Sequence, residues 1–367
     1  MKYLKKITVD TATSSYPVFV GTDILKSLPK LTEEFNLPGR VFIIIDKKVD
    51  NLFGRLIKKV ISSFASKVYF LSLASSERIK SFNTVTKIFT KLFEEKFARD
   101  TLVIAIGGGT IGDVAGFAAS TYMRGLPLIH IPTTLLSVVD SSIGGKNAVN
   151  FKEIKNLVGT FYQPSLVISD TRFFDMLPKK ELISGLGEVI KYSYLIDSKF
   201  YSDLFLNYNL LLNKEPAYLR KVIYECVKIK SAIVSKDEKE ISGVRKILNF
   251  GHTFAHAFES NSSYRLNHGQ TVIAGIISAL FLSFKKGFLE KSQLDHMMEL
   301  PARFKSLIHL KKINANEIIR LMTYDKKSRG GETNFVLIKN FGEIVIDINA
   351  DKNEIQWALN ETRKLLV

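Results

Sequence analysis

The sequence has very little of several features that would place a protein in a narrow class. Cys226 is the single cysteine among 367 residues, which excludes a disulfide framework and a cysteine-based zinc finger and favours a reducing compartment. The longest nearly apolar stretch, residues 272–284, is too short to span a bilayer. The first ten residues are charged and contain no apolar core, so no secretory signal is expected. We therefore expect a cytoplasmic protein without a membrane partner.

Acidic residues are also few compared with basic ones. The chain has 36 Asp and Glu against 52 Lys and Arg, which gives a formal net charge of +16. Such an excess indicates an anionic partner, and a nucleic acid, a membrane surface and a phosphorylated metabolite all fit it. A basic nucleic-acid-binding protein is the remote alternative, because no zinc knuckle, ribonucleoprotein signature or basic arm is present. The chain otherwise has a globular composition, with 46% hydrophobic and 24% charged residues.

The pattern of the chain changes near residue 172. Before it, apolar runs such as Val41–Asp46 and Thr101–Ile106 alternate with helical stretches, which predicts a parallel sheet covered by helices on both faces. After it, helical patterns dominate, apart from a strand hairpin expected around residues 340–343. We predict an α/β, Rossmann-like domain over residues 1–172 and a mostly α-helical metal- and substrate-binding domain over residues 173–367. The cleft between two such domains is the expected ligand site.

Three glycines have the spacing of a dinucleotide-binding turn. Gly107, Gly109 and Gly112 follow a candidate strand and precede a helical stretch, where glycine lets the backbone approach a pyrophosphate. Taken alone the spacing is weak evidence, because many glycine-rich turns bind nothing. No acid lies about 20 residues downstream, as the usual fingerprint requires, so Asp46 after an earlier strand is the candidate ribose ligand. The pattern favours a variant dinucleotide site.

A group of histidines indicates a metal site. His252 and His256 are spaced i, i+4 and therefore lie on one helical face, and His268 precedes the next apolar helix. Glu188 lies on another predicted helix, and imidazoles with a carboxylate suit Zn²⁺. The alternative is a helix surface with hydrogen-bonded histidines, because the acid of the H-E-x-x-H motif is missing. The spacing by itself leaves both interpretations open.

Further short segments accompany these two motifs along nearly the whole chain. They are Ser15–Gly21, Gly107–Asp113, Ser120–Gly125, Pro132–Leu136, Val139–Lys146, Lys155–Asn156, Ser184–Tyr192, Arg245–His252, His256 and His268–Gly269. In this order they resemble the 3-dehydroquinate synthase family of the sugar phosphate cyclase superfamily. The resemblance implies a homodimeric, NAD-dependent lyase of the shikimate pathway. Such an enzyme converts 3-deoxy-D-arabino-heptulosonate 7-phosphate to 3-dehydroquinate and phosphate.

The resemblance also assigns a role to individual positions. The implied ligands of Zn²⁺ or Co²⁺ are Glu188, His252 and His268. The implied catalytic residues are Asp140, Lys146, Lys191 and His256. The implied substrate contacts are Arg124, which would act across the dimer interface, with Lys230, Arg245, Asn249 and Lys326. The implied NAD contacts are Asp46, Glu77, Lys80, Gly108, Gly109, Asp113, Thr133, Thr134 and Lys155.

One departure from the family pattern concerns the metal site. Gln270 stands where the family usually has glutamate, so we expect the loss of a negative charge beside His268. No implied ligand or substrate contact is missing. The alternatives are a sister cyclase, either a 2-deoxy-scyllo-inosose synthase or a sedoheptulose 7-phosphate cyclase, and, less favoured, a metal-dependent alcohol dehydrogenase of similar architecture.

Overall fold

The structure is a computed structural model. It describes residues 4–152, 154–262, 266–308, 314–329 and 334–366, with the backbone alone for residues 323–329. None of the helices in these ranges combines the length and apolarity that a bilayer span requires.

The chain forms two compact units that are not divided by a single cut. The first comprises Met1–Leu177 with Lys214–Lys239, and the second comprises Pro178–Asn213 with Glu240–Val367. A boundary at residue 172 would place the long helix Pro216–Lys236 in the second domain, whereas it groups with the first unit. The physical reason is contact with the sheet, because this helix packs against the first two strands.

Strands alternate with helices over residues 40–132, and helices dominate after residue 178. The strands are β1 (Lys5–Asp10), β2 (Ser15–Gly21), β3 (Arg40–Asp46), β4 (Lys67–Leu73), β5 (Thr101–Gly107), β6 (Leu128–Pro132), β7 (Lys146–Phe151), β8 (Ile154–Phe161), β9 (Leu166–Asp170), β10 (Asn334–Asn340) and β11 (Glu343–Asn349). The helices are α1 (Leu28–Glu34), α2 (Lys47–Ser62), α3 (Phe82–Glu94), α4 (Gly109–Thr121), α5 (Lys179–Tyr194), α6 (Ser198–Leu212), α7 (Pro216–Lys236), α8 (His252–Asn261), α9 (His268–Lys285), α10 (Lys291–Ala302), α11 (Ala315–Arg329) and α12 (Lys352–Leu366).

The first unit is built on a seven-stranded sheet in the order β1-β2-β9-β6-β5-β3-β4. Its strands pair in parallel except for the β1–β2 edge, which is antiparallel. Successive side chains of β3 enter different cores: Ile43 and Ile45 join the core with α1 and α2, and Ile44 joins the core with α3 and α4. A strand covered on both faces must be continuously apolar, as this one is. The predicted α/β fold of this region is confirmed.

The second unit is mostly helical and is organised around α9. This helix packs against α5, α8, α10 and α12 and against β10 of the antiparallel β10–β11 hairpin. It contains the apolar stretch 272–284, whose residues are almost all buried. The predicted helical domain with a terminal hairpin is confirmed. An apolar segment too short for a bilayer therefore becomes the centre of a helical core.

The antiparallel hairpin β7–β8 in the first unit is a feature that the apolar pattern did not predict. Its strands pair from Lys146 opposite Phe161 to Phe151 opposite Ile154. Both faces carry exposed residues, and side chains as apolar as Phe151 and Leu157 are about half exposed. Since neither a clean alternation nor a continuous apolar run is present, periodicity could not reveal these strands.

Candidate active site and metal centre

The glycine-rich turn joins the end of β5 to the start of α4. Gly107 closes the strand, and a Cβ atom there would lie 2.8 Å from the Cβ of Ile111. A Cβ on Gly109 would lie 3.0 Å from the hydroxyl of Ser141. Crowding therefore requires glycine at positions 107 and 109. The backbone of Gly108 has a φ of −75°, a conformation that any residue can adopt. No described side chain caps α4, so its first N–H groups are available to an anion.

Several implied NAD contacts lie at one edge of the sheet. Asp46 ends β3, the glycine turn follows β5, and Thr133 and Thr134 follow β6. The three strands are parallel neighbours, so these residues lie outside the same carboxyl ends. Asp46 also accepts a hydrogen bond from the backbone N–H of Lys48 at 2.7 Å and caps α2. The carboxyl edge of a parallel sheet is the usual place for a nucleotide.

A second group of implied NAD contacts meets beside α4. The buried Lys80 ammonium lies 2.5 Å from the carboxylate of Asp113 and also bonds to the side chain of Asn156. Burial raises the pKa of Asp113, and the Lys80 ammonium opposes that effect. Glu77 is exposed and accepts a hydrogen bond of 2.9 Å from the Asn150 side chain. Lys155 is exposed on β8 beside Asn156.

The implied substrate residues of the first unit include one buried ion pair. Lys230 on α7 is buried, and its ammonium lies 2.6 Å from the Asp140 carboxylate and 2.5 Å from the Asp140 carbonyl oxygen. Lys146 is exposed at the start of β7. Arg124 is exposed in a turn where its own φ is +69° and that of Gly125 is +125°. The structure thus brings Asp140 and Lys230 together and leaves Arg124 on the surface.

The predicted metal ligands meet in the second unit. Glu188 on α5, His252 at the start of α8 and His268 at the start of α9 offer ligand atoms that all lie within 4.8 Å of one another. The Nε2 atoms of His252 and His268 lie 3.3 and 3.0 Å from Oε1 of Glu188. Lys191, one turn after Glu188, forms an ion pair with its other oxygen. Of the two interpretations left open, the structure therefore favours a metal cluster over a helix surface with hydrogen-bonded histidines.

Glycines at the helix crossings bring these ligands together. Gly187 precedes Glu188, and a Cβ atom on it would lie 2.7 Å from the Cα of Gly269, which follows His268. Gly251 precedes His252, and a Cβ on it would lie 2.8 Å from the backbone nitrogen of Ile276 on α9. Helices α5 and α8 thus approach α9 backbone to backbone next to each ligand. Any larger residue would separate the helices and with them the ligand atoms.

The cluster surrounds the Glu188 carboxylate with the Lys191 ammonium and two imidazoles. Burial alone would raise the pKa of Glu188, but the Lys191 ammonium and the two histidines hold it well below its usual range. Burial alone would lower the pKa of His268, but hydrogen bonds to Glu188 and Glu259 raise it to about 10. A buried carboxylate with two imidazole nitrogens supplies the three protein ligands of a catalytic Zn²⁺ or Co²⁺ site. These residues fit such a metal.

Three of the other implied residues of the second unit, His256, Arg245 and Asn249, lie near His252 in sequence. The ring centroids of His256 and His252 are 5.6 Å apart. Arg245 is buried in the short 3₁₀ helix Val244–Asn249, which ends at the exposed Asn249 immediately before α8. Lys326 belongs to α11, but its side chain lies outside the described part of the structure.

Two residues without an implied role contact implied site residues, one in each unit. Glu259 bonds to Nδ1 of His268 at 3.0 Å, and Asn150 joins the turn of Glu77 to the backbone of Asn156 through its side chain. For Glu259 a sequence signal exists, since it lies two helical turns after His252 and thus on the same side of α8. For Asn150 the strand bulge at this position gives no such signal.

Two family models together match the chain from residue 70 to residue 328. The N-terminal model of the 3-dehydroquinate synthase family matches residues 70–184, and the C-terminal model matches residues 185–328. A 3-dehydroquinate synthase of Pelagibacter ubique is 40% identical over 98% of this chain and 98% of its own length. The chain belongs to the 3-dehydroquinate synthase family. A relative of the same name from Dehalococcoides mccartyi is 38% identical over 98% of this chain and 100% of its own length.

Solved structures extend the family relationship to sister cyclases. A 2-deoxy-scyllo-inosose synthase complexed with carbaglucose-6-phosphate, NAD⁺ and Co²⁺ is 25% identical, with a TM-score of 0.87 over 97% of this chain and 99% of its own. A 2-epi-5-epi-valiolone synthase from Streptomyces hygroscopicus, with NAD⁺ and Zn²⁺ bound, is 26% identical, with a TM-score of 0.85 over 96% and 97%. An iron-containing alcohol dehydrogenase at 14% identity and a TM-score of 0.66 shares the fold alone. The resemblance inferred from the motifs is confirmed at the level of the family.

Proposed function

We propose that the protein is a phosphate-eliminating lyase that converts 3-deoxy-D-arabino-heptulosonate 7-phosphate to 3-dehydroquinate and phosphate. The observation that carries this proposal is the cluster of Glu188, His252 and His268, formed in a chain that matches 3-dehydroquinate synthases over almost its whole length. In this reaction the C5 hydroxyl is oxidised, phosphate leaves by β-elimination and the hydride returns to C5. Ring opening and an intramolecular aldol then close the carbocycle.

The cofactors of the proposed reaction are NAD⁺ and Zn²⁺ or Co²⁺. When bound, NAD⁺ accepts and returns one hydride, and the metal supplies a Lewis acid for the oxygens of the reacting carbons. Support comes from the NAD⁺ and the Co²⁺ or Zn²⁺ bound by the two cyclases of similar structure. The glycine turn of the first unit would hold the pyrophosphate, with Asp46 at the ribose. Glu188, His252 and His268 would hold the metal.

In the first unit, Lys146 and Asp140 would take part in catalysis, and Lys230 and Arg124 would bind the substrate. The Asp140 carboxylate holds the buried Lys230 ammonium at 2.6 Å, so this cation is oriented before any substrate arrives. An oriented ammonium stabilises developing negative charge without reorganisation during the reaction. Arg124 carries a permanent charge in a fork that suits phosphate oxygens.

In the second unit, Lys191 and His256 would take part in catalysis. Lys191 is buried against Glu188, which places its positive charge directly beside the metal ligands. Negative charge that develops on the substrate oxygens there would be stabilised by the same ammonium. Arg245, Asn249 and Lys326 would bind the substrate, with Arg245 and Asn249 at the phosphate.

We further propose that the protein is a cytoplasmic homodimer in which Arg124 acts on the partner's substrate. The hairpin β7–β8 supports a partner, because Phe151, Ile154, Leu157 and Phe161 expose between 43 and 53% of their surface. Apolar side chains concentrated in this way mark protein contact surfaces. The lone cysteine, Cys226, is buried and carries no disulfide, in keeping with a cytoplasmic location. The partner molecule on this proposal is a sugar phosphate and not a nucleic acid.

The decisive experiment measures phosphate released by purified protein from 3-deoxy-D-arabino-heptulosonate 7-phosphate. We expect release that depends on NAD⁺, stops with a chelator, resumes with Zn²⁺ or Co²⁺ and leaves no net NADH, because the hydride returns. Turnover of glucose 6-phosphate or sedoheptulose 7-phosphate in its place would assign the chain to a sister cyclase. That alternative is motivated by the TM-score of 0.87 with the 2-deoxy-scyllo-inosose synthase. Net NADH formation would indicate an alcohol dehydrogenase.

A further inference from the structure

Glu259 contacts the side of His268 that faces away from the metal cluster. The imidazole of His268 lies between two carboxylates: Nε2 is 3.0 Å from Oε1 of Glu188, and Nδ1 is 3.0 Å from Oε1 of Glu259. One ring nitrogen thus points into the cluster and the other points to Glu259. The second contact fixes the plane and the direction of the ring.

The fold aims the Glu259 carboxylate at this nitrogen. Glu259 lies on α8 two turns after His252, while His268 begins α9, and these two helices pack against each other. The side chain of Glu259 is only 18% exposed. The hydroxyl of the buried Thr271, one turn into α9, lies 3.3 Å from the same carboxylate oxygen. The carboxylate is therefore largely shielded from water and attached to both helices.

Gln270 does not occupy this place. Its side-chain oxygen accepts a hydrogen bond of 2.9 Å from the backbone N–H of Asn267, and its side-chain nitrogen donates to the carbonyl of Leu307. The first bond belongs to the cap of α9, the second ties the side chain to the segment of Leu307, and neither reaches the His268 ring. The carboxylate that contacts the Nδ1 side of the His268 ring therefore comes from Glu259 and not from position 270.

We propose that Glu259 is a positioning residue of the metal centre. Its carboxylate accepts the Nδ1–H of His268, which keeps the proton on Nδ1 and leaves the Nε2 lone pair directed at the cluster. A hydrogen-bonded carboxylate behind a histidine fixes the tautomer and makes the ligand nitrogen more basic. This inference rests on the proposed metal-binding role of Glu188, His252 and His268.

Metal affinity is the quantity that this contact controls. Loss of a carboxylate behind a ligating histidine weakens metal binding by about 10- to 100-fold. In Glu259→Gln the amide oxygen still accepts the Nδ1–H but the charge is gone, so we expect about 10-fold weaker zinc binding. In Glu259→Ala the hydrogen-bond acceptor and the charge are both removed, so we expect zinc binding to weaken by up to about 100-fold.

The test titrates Zn²⁺ into metal-free protein in competition with a chromophoric chelator. Glu354→Gln is the matched control, because Glu354 is 19% exposed and paired with Lys286 near the opposite end of α9. We expect the control to bind zinc like the wild type. The unfolding temperature of each metal-free variant, measured in parallel, separates a loss of affinity from a loss of fold.

The outcomes distinguish this inference from the proposed function. Unchanged zinc affinity in Glu259→Gln and Glu259→Ala overturns the positioning role, and so does a lower unfolding temperature without a change in affinity. In either case, loss of zinc binding in His268→Ala leaves the metal site itself standing. If His268→Ala binds zinc as tightly as the wild type, the proposed metal site is wrong, and the role of Glu259 falls with it.

Discussion

The glycine turn of the first unit and the metal cluster of the second are built in opposite ways. The turn is a contiguous stretch, Gly107–Asp113, in which the backbone of α4 would supply the binding groups on the proposed function. The cluster takes single side chains from α5, α8 and α9, and α6 and α7 lie between α5 and the other two helices along the chain. A motif in sequence therefore describes most of the first site, whereas only the packing of three helices creates the second.

The two regions also contain buried histidines with opposite charge preferences. His130 lies on β6 against Gly112 of the glycine turn, and burial lowers its pKa to about 4. His268 is also shielded, but the carboxylates of Glu188 and Glu259 raise its pKa to about 10. Burial alone thus keeps a core histidine neutral, and carboxylates within hydrogen-bond distance favour its protonated form.

The largest effect is expected from breaking the cluster itself. His252→Ala removes one of the three ligands, so metal binding and the Lewis-acid contribution are lost together. Since that contribution amounts to several kcal/mol, we expect kcat to fall by about 10³-fold or more. The measurement is phosphate release with excess Zn²⁺, together with bound metal and far-ultraviolet circular dichroism. Full activity with unchanged bound metal would contradict the assignment.

The next largest effect comes from comparing a glycine at a helix crossing with a glycine within α4. A Cβ atom on Gly269 would lie 1.9 Å from the carbonyl oxygen of Ile183, so Gly269→Ala must push α5 away from α9. We expect this change to reduce the free energy of unfolding by about 3 kcal/mol and to weaken zinc binding. Gly112→Ala is the control, because its Cβ would meet the His130 ring at an ordinary 3.6 Å.

Denaturant unfolding measures the free energies of both glycine variants. Gly112→Ala is expected to be neutral or to stabilise the protein by up to about 1 kcal/mol, since alanine is favoured over glycine within a helix. A Gly269→Ala variant as stable as the wild type would show that the α5–α9 crossing tolerates a side chain.

The smallest effect appears only in acid and concerns His130. Its folded pKa of about 4 lies below its unfolded value of 6.5, so the unfolded state binds the proton first as the pH falls. The protein should therefore lose stability between about pH 6.5 and pH 4, and about 2 kcal/mol of this loss should come from His130 by pH 5. In His130→Leu that part disappears. Denaturant unfolding near pH 7 and near pH 5 checks it, and an identical acid loss in both proteins would rule it out.

Part of the candidate site was predictable because its signals are local. The i, i+4 spacing placed His252 and His256 on one face of α8, and the glycine spacing located the turn between β5 and α4. The residues Asp46 and Thr133 follow strands that apolar runs already identified. Local order along the chain is enough in such cases, because neighbours in sequence are neighbours in space.

Other parts depended on contacts between distant segments. The position of Gln270 after His268 suggested a place beside the ring, yet the side chain turns to the backbone of Asn267 and Leu307. Glu259 reaches the ring from another helix. The helix Pro216–Lys236 has an ordinary helical pattern, and nothing in that pattern shows that it groups with the sheet of the first unit.

The amino-acid sequence by itself determined the fold class, the family and the kind of ligand atoms that are present. Apolar periodicity, glycine spacing and the order of motifs are properties of the chain, and they need no coordinates. Only the tertiary structure decided that Glu188, His252 and His268 lie within 4.8 Å of one another and that Glu259 stands behind one of them. The physical reason is the backbone contact at Gly187, Gly269 and Gly251, which allows three helices to approach closely enough for their side chains to meet.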